Sequence, residues 1–502
     1  MIFTRLLLAA RKLQLPLMAG LFFSGCVWAA DDVTAKALKL YEKHHYEEAV
    51  HLLRPALTGM DGSRQAAANL ALGMIYLSNA KLYRELQQTA QLIELDYLMQ
   101  LSKQKSVAAS RFVDFFLGQA LVEAGKTGEG ITCLQQFIDR PGHPLFRAFA
   151  EVEIGVAYSR QKQTQKAVQA WSRLDLSKPE IKAALAGAYA ATGAQEHKPV
   201  ALADAALTDA KTQRYIPGMR MLRNVLRAYG NSGETEKALE LLNVNEFRDA
   251  SYVEDLGESK SISFYDSSLL EDMARTHLRA AVMYLEQAGK DAKIGSTANY
   301  FLVDAYLQQG NTDVTLRTAT SLISQAQVPQ QYRDIVLVYK AAAQYRTGHR
   351  TEAGAVWLSL AEKSAQDPAL FAEIIKACAQ TGADCANQEK LALAAVEAGE
   401  GKKFFSLSAA LGKYYLLRKD YRKAVLYLEA GRDKANKNKI EANDPVLLVA
   451  LAEAYYRNKN FSEALEIYFE LGKQYPVVRQ IQEAIQGIYS MEHQSAGDVK
   501  IY

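Results

Sequence analysis

Three arginines, Arg220, Arg223 and Arg227, stand three and four residues apart, so on a helix their guanidinium groups project from one face. A guanidinium fork binds a carboxylate through paired hydrogen bonds, and such a stripe suits an acidic segment of a partner. The plainer reading is a solvated face that pairs with nearby acids such as Glu234 and Glu236. His44, His45 and His51 are the one histidine cluster. Imidazole is a common metal ligand, but no cysteine pattern accompanies these three, so they read as solvated turn residues and no metal site is expected. Cys378 and Cys385 lie seven residues apart at what reads as a helix end. They can form a disulfide if their α-carbons come within about 7 Å, or remain two small buried residues. Cys133 reads as core.

Other chemistry is hard to find. The chain contains no His-Glu-x2-His pair, no Gly-x4-Gly-Lys-Ser/Thr loop, no Gly-x-Ser-x-Gly elbow and no Cys-x2-Cys-His attachment. No catalytic residue is assigned, no cofactor is expected, and an enzyme on a repetitive frame stands only as a third reading.

The elements that would position these residues follow from size and composition. A chain of 502 residues exceeds what one hydrophobic core usually organises. With 11 Pro, 30 Gly and a bias to Ala, Leu, Glu, Lys, Gln and Arg, it reads as an all-α protein whose core grows along an axis. Arg5, Arg11 and Lys12 precede an apolar stretch from Leu13 to Phe23 and then small residues, as in a secretion signal. That stretch is too short to span a bilayer. Cleavage after Ala29 is one expectation. Lipidation of Cys26 is another, since Phe23-Ser24-Gly25-Cys26 resembles a bacterial lipobox with Phe where Leu is usual, and an uncleaved anchor is the third. Each places the protein outside the cytoplasm, in the periplasm or at the periplasmic face of an outer membrane. Loss of the three leader cations leaves basic and acidic residues balanced, which excludes a global nucleic-acid footprint or polybasic membrane surface.

Internal repetition carries the strongest signal. Leu411-Gly412-x2-Tyr415 is followed by Ala424 and Leu428; Leu451-Ala452-x2-Tyr455 by Ala464, Tyr468 and Pro476; Ile154-Gly155-x2-Tyr158 by Ala167 and Trp171. Weaker copies are Leu72-Gly73-x2-Tyr76, Leu117-Gly118-x2-Leu121 with Gly130 and Leu134, Tyr229 with Ala238 and Leu242, Ala341 with Ala353 and Trp357, and Ala49 with Leu53. Small residues fall where two helices of a hairpin cross, and large ones fill the space beside them. Polar turns are supplied by 123–126, 418–420 and 457–460, where Gly or Asn can take the left-handed cap. This spacing resembles the tetratricopeptide repeat (TPR) family. The resemblance implies an all-α helical-hairpin solenoid, here with irregular repeats of about 34–45 residues. It is clearest over 404–476, weaker over 111–175 and 219–243.

In that family the concave side receives an extended peptide. The resemblance therefore implies a partner-binding groove lined by Arg220, Arg223, Arg227 and Asn231, and by a more apolar set, Phe112, Phe115, Gln119 and Val122 with Phe149, Val152, Val156 and Arg160. A mixed polar stretch follows from Lys413, Glu453, Tyr456 and Arg457, with Tyr345 and Arg346. The aromatic residues can equally be buried against the next repeat. The expected organisation is a leader at 1–29, a TPR-like lobe at 30–200, an irregular bend with a polar loop at 201–268, a second lobe at 269–490 and a tail at 491–502. The expected function is a non-catalytic scaffold of the bacterial envelope, docking proteins or peptides of an assembly or export system. A periplasmic chaperone-like binder of extended clients is the alternative. Neither nucleic acid nor a transmembrane span in the mature chain is expected.

Overall fold

The small-residue positions place helices side by side throughout the described residues. The computed structural model describes residues 32–103, 110–141, 144–214, 217–243, 253–254, 262–263, 267–326, 328–363, 367–398, 405–435 and 443–495. The leader, with Cys26 and Ala29, lies outside them. The described residues hold twenty-three α-helices: α1 (Asp32–Glu42), α2 (Tyr46–Ala56), α3 (Gly62–Leu101), α4 (Ser110–Glu123), α5 (Thr127–Asp139), α6 (Pro144–Arg160), α7 (Thr164–Trp171), α8 (Pro179–Thr192), α9 (Pro199–Thr212), α10 (Met219–Ser232), α11 (Thr235–Leu242), α12 (Ser267–Ala288), α13 (Gly295–Gln309), α14 (Thr312–Ser324), α15 (Gln330–Arg346), α16 (Arg350–Lys363), α17 (Pro368–Thr381), α18 (Ala386–Ala398), α19 (Phe405–Leu417), α20 (Tyr421–Ala435), α21 (Pro445–Arg457), α22 (Phe461–Gly472) and α23 (Arg479–Ser495). One short antiparallel ladder, Val253 opposite Ser263, falls in the stretch read as a polar loop.

Among the described residues ten hairpins run between consecutive helices, and each turn contains a residue in the left-handed region: His44, Gly125, Lys162, Gly193 with Lys198, Gly233, Gly310, Gly348, Gly382, Lys419 and Lys459. Glycine takes that conformation without strain. Lys459 adopts it where Asn458 or Asn460 was expected to do so, and Lys419 adopts it in a turn that holds neither Gly nor Asn. Pro199 opens α9, because the first turn of a helix needs no N–H there. Asp367 and Asp444 cap α17 and α21 by accepting backbone N–H bonds at 2.9–3.1 Å, each with proline next in sequence.

The helix crossings have the expected chemistry. A Cβ added to Gly118 would collide with Leu134, to Gly155 with Trp171, and to Gly412 with Leu428. The Trp171 and Trp357 indoles each donate to a carbonyl on the facing helix, Val152 at 3.1 Å and Val338 at 3.2 Å. Tyrosine hydroxyls then join four of the hairpins to the helix before them: Tyr229 to Asp204, Tyr306 to Glu286, Tyr415 to Glu389 and Tyr455 to Glu429, all at 2.6 Å. Burial and the adjoining carboxylate hold these phenols well above their ordinary range.

The chain divides into two compact units, discontinuous in sequence. Residues up to Leu82 and Ala280–Ala464 form the first, and Tyr83–Arg279 with the residues from Leu465 onward form the second. The boundaries of these units fall inside α3, α12 and α22. Residues 74–101 contain neither Gly nor Pro, so nothing stops α3 where a hairpin turn was expected. In the first unit Gly73 of α3 meets Leu285 of α12, and Tyr76 stacks on Tyr284 at 5.6 Å. Ala281, Leu285 and Glu286 reproduce the spacing of Ala424, Leu428 and Glu429, and all of Ala281, Leu285, Ala424 and Leu428 are fully buried. The beginning of α3 and the end of α12 are thus the two halves of one repeat. In the second unit the remainder of α3 meets the beginning of α12, with Tyr83 stacked on His277 at 5.3 Å and Glu94 accepting from the Ser267 N–H at 3.1 Å. There α23 also packs on α3, since a Cβ at Gly487 would strike the Tyr97 ring.

Candidate partner-binding surface

Helices α4, α6 and α10 bring the groove residues of the second unit together, as the repeat spacing implies, but the groove is occupied. Phe112, Phe115, Gln119, Phe149 and Val152 are buried, as are Val122 and Val156. Arg220 and Arg223 are buried too, with 7% and 1% exposure. Among the described residues the arginine stripe is not a solvated face, because it is covered by the chain itself. Arg220 donates to Gln119 at 3.3 Å, Arg223 to the Ser268 hydroxyl at 3.3 Å, and Arg227 to Asp272 at 2.8 Å with Glu123 at 3.8 Å. Asn231 accepts from Arg275 at 2.6 Å through its side chain and from Arg279 at 3.2 Å through its carbonyl. Burial works against the Arg227 charge, and Asp272 with Glu123 more than offsets it, holding the guanidinium above its usual range. Burial, reinforced by the like charge of Glu123, lifts the Glu94 carboxyl to about 8.

The first unit fills its inner side differently. Lys81 of α3 pairs with Asp304 of α13 at 2.6 Å, and Asp304 also accepts from Gln308 at 2.9 Å. Glu373 accepts from Tyr339 at 3.0 Å and from Lys376 at 2.7 Å. Burial would raise the Glu373 carboxyl, but Lys376 and Lys81 override it and hold it low. Further along, Glu453 and Tyr456 are buried, Lys413 is half-buried, and Arg457 bonds Glu453 at 2.9 Å and the Tyr421 hydroxyl at 3.4 Å.

Arg160 and Arg346, read as groove lining, join repeats instead, and Arg279 and Arg418 do the same. Arg160 donates to the Val122 carbonyl, Arg279 to Asn231, Arg346 to Leu307 at 2.6 Å and Arg418 to Ala383 at 3.3 Å. The first three satisfy a carbonyl near the end of the first helix of the preceding hairpin, where helices leave acceptors unpaired, and Arg418 satisfies one in the turn just past it. Tyr345 stacks on Trp357 at 5.9 Å beneath Arg350. Reading the sequence missed Lys81, Glu94, Asp272, Asp304 and Glu373. One signal was available for Asp304: it precedes Tyr306 by two residues, as Arg227 precedes Tyr229 and Glu453 precedes Tyr455.

The remaining candidates are placed as follows. Cys378 and Cys385 are bonded, their α-carbons 6.1 Å apart across the α17–α18 turn, and both are buried. Cys133 is a half-buried free thiol. His44 is buried rather than solvated, its Nδ1 2.9 Å from the Tyr46 hydroxyl, and His45 meets Glu48 at 2.8 Å. Among the described residues no three His, Cys, Asp or Glu side chains are placed to hold a metal, and no helix is long and apolar enough to cross a membrane.

A PPR repeat model matches residues 221–244, which is the hairpin of α10 and α11. No curated protein sequence matches the chain. Similar solved structures include yeast Tom70, at 12% identity and TM-score 0.31, covering 93% of this chain and 95% of that one. The P58(IPK) TPR domain is 14% identical with TM-score 0.20, covering 77% and 99%, and the maize pentatricopeptide repeat protein PPR10 is 15% identical with TM-score 0.23, covering 97% and 73%. At such identities and scores they carry no functional argument. TPR-type folds bind proteins or peptides and are generally non-catalytic scaffolds. From the small-residue crossings, left-handed turns and recurring bonds between its hairpins, the chain is an all-α helical-hairpin repeat protein, with the match to a repeat family confined to residues 221–244.

Proposed function

We propose that this protein is an exported, non-catalytic scaffold of the bacterial cell envelope that holds components of an assembly or export system, and that partners dock on its outer helices. The observation that carries the docking face is the filling of the inner positions of each unit by the chain's own side chains. Four exposed apolar residues lie on second helices of hairpins, Leu52 and Leu426 in the first unit at 36% and 58%, and Val168 and Phe469 in the second at 47% and 65%, while Leu417 at 56% ends the first helix α19. The Cys378–Cys385 disulfide and the leader-like start of the sequence support export, since such bonds persist in oxidising compartments.

A photo-crosslinking residue at Leu426 or Phe469 in intact cells should capture a small, reproducible set of envelope proteins, while the same residue at Arg223 should capture none. Crosslinks from Arg223 alone would overturn the outer-face docking. Weak capture of many unrelated clients at every position would favour the chaperone reading. Export is tested separately by trapping free thiols in whole cells: Cys378 and Cys385 should resist alkylation until reduced under denaturing conditions, and free alkylation in the denatured, unreduced chain would count against it.

A further inference from the structure

Phe115 and Phe116 of α4 and Phe146 and Phe149 of α6 form a box in the second unit. Their rings meet edge to face, with centroids 5.1 Å apart for Phe115 and Phe116, 5.3 Å for Phe115 and Phe146 and 5.8 Å for Phe146 and Phe149. The Arg220 guanidinium carbon lies in this box, 5.2 Å from the Phe115 and Phe149 centroids and 5.7 Å from those of Phe116 and Phe146. All four distances fall within the ~6 Å over which a ring face attracts a cation. A neutral side chain would gain contact area from the same rings but not the attraction to their negative faces. Gln119 adds directionality, because its side-chain oxygen accepts from the guanidinium at 3.3 Å. An arginine buried to 7% exposure loses its hydration, and the box supplies a polarisable replacement on several sides.

We propose that the four phenylalanines form a guanidinium-binding site whose resident ligand is the chain's own Arg220, and that truncating this arginine leaves a pocket that takes free guanidinium-type cations. The site is built from α4 and α6, and the ligand arrives from α10. Occupancy therefore ties together three helices that come from different hairpins.

The test is chemical complementation read by thermal unfolding of the full chain. R220A should unfold at a lower temperature than wild type, and ~10 mM methylguanidinium should raise its midpoint by a few degrees, as expected when a ligand binds only the folded form. Urea at the same concentration is planar and similar in shape but neutral, and should give no rise. The wild type, with the pocket filled, should respond to neither. A double variant that also carries F149A should lose the rescue. If R220A does not fold, the pair R220K and R220M decides: the cationic variant should melt closer to wild type than the neutral one. Equal midpoints for R220M and wild type, or a methylguanidinium effect in R220A no larger than that of urea, would overturn the proposal.

Discussion

Hairpin α19–α20 and the pairing of α3 with α12 bury the same kind of contact, a glycine under a leucine, yet one closes over a short turn and the other across most of an inserted unit. In α19–α20, Lys419 turns the chain and Gly412 reaches Leu428 at once. In the first unit Gly73 finds Leu285 only after Tyr83–Arg279 has intervened. The repeat interface is therefore defined by its side chains and not by the connection, which the recurrence of Glu286 and Glu429 beneath Tyr306 and Tyr455 also indicates.

The largest expected effect comes from the glycines. Gly73→Leu and Gly412→Leu each drive a side chain into a facing leucine, and overpacking of that kind costs about 1–3 kcal/mol or more. If the interfaces are equivalent, denaturant titration of the two variants should show similar losses. A harmless G73L would show that the distant pairing is loose.

A second expectation separates the pairings by pH. Two titratable groups, Glu94 and His277, lie in the α3–α12 contact of the second unit. Burial depresses His277 to about 4, so it contributes stability that is complete above its unfolded value near 6.5 and is lost as pH falls towards 4. Glu94 is raised to about 8, so its contribution is complete below the ordinary carboxylate range and is lost as pH climbs from there to about 8. Each slope is at most ~1.4 kcal/mol per pH unit. Hydrogen exchange at the end of α3 should therefore quicken towards both extremes. E94Q should remove the alkaline arm and melt higher than wild type at pH 8.5 by more than it does at pH 5. The same shift at both pH values would refute the role given to Glu94.

The smallest expected effect lies in the hydroxyl bonds. Tyr306→Phe and Tyr455→Phe each delete one bond to a carboxylate, worth about 1.5–3 kcal/mol when buried and less at these half-buried sites. Matching losses in calorimetric midpoints would support equivalence of the two joints. A silent Y306F beside a costly Y455F would mark the divided repeat as the weaker one.

Much of the architecture could be read from the sequence, because small residues at helix crossings constrain packing more tightly than composition does. Gly118, Gly155 and Gly412 all face the partners the spacing implied, and Cys378 lies within bonding reach of Cys385. The course of α3 was not readable from its local motif. Leu72-Gly73-x2-Tyr76 announces a first helix, but the position where alanine should follow holds Glu85, and no turn residue intervenes. The missing second helix is present as Ala281-x3-Leu285, which itself lacks a local first helix, and two unmatched halves are a signal that they pair. The groove failed for a different reason. Spacing assigns Arg220, Arg223 and Arg227 to an inner face, but whether that face meets solvent depends on what α12 brings to it.

The divided repeat also sets an order of events during synthesis. The first half of that repeat leaves the ribosome nearly two hundred residues before the half that covers it, a wait on the order of ten seconds or longer at ordinary elongation rates. Through that interval Gly73 and Tyr76, which meet Leu285 and Tyr284 in the finished protein, have no native cover from α12. A nascent chain with such an apolar face needs a holding factor or a rapidly folding intervening segment, and final closure is a late, non-local step.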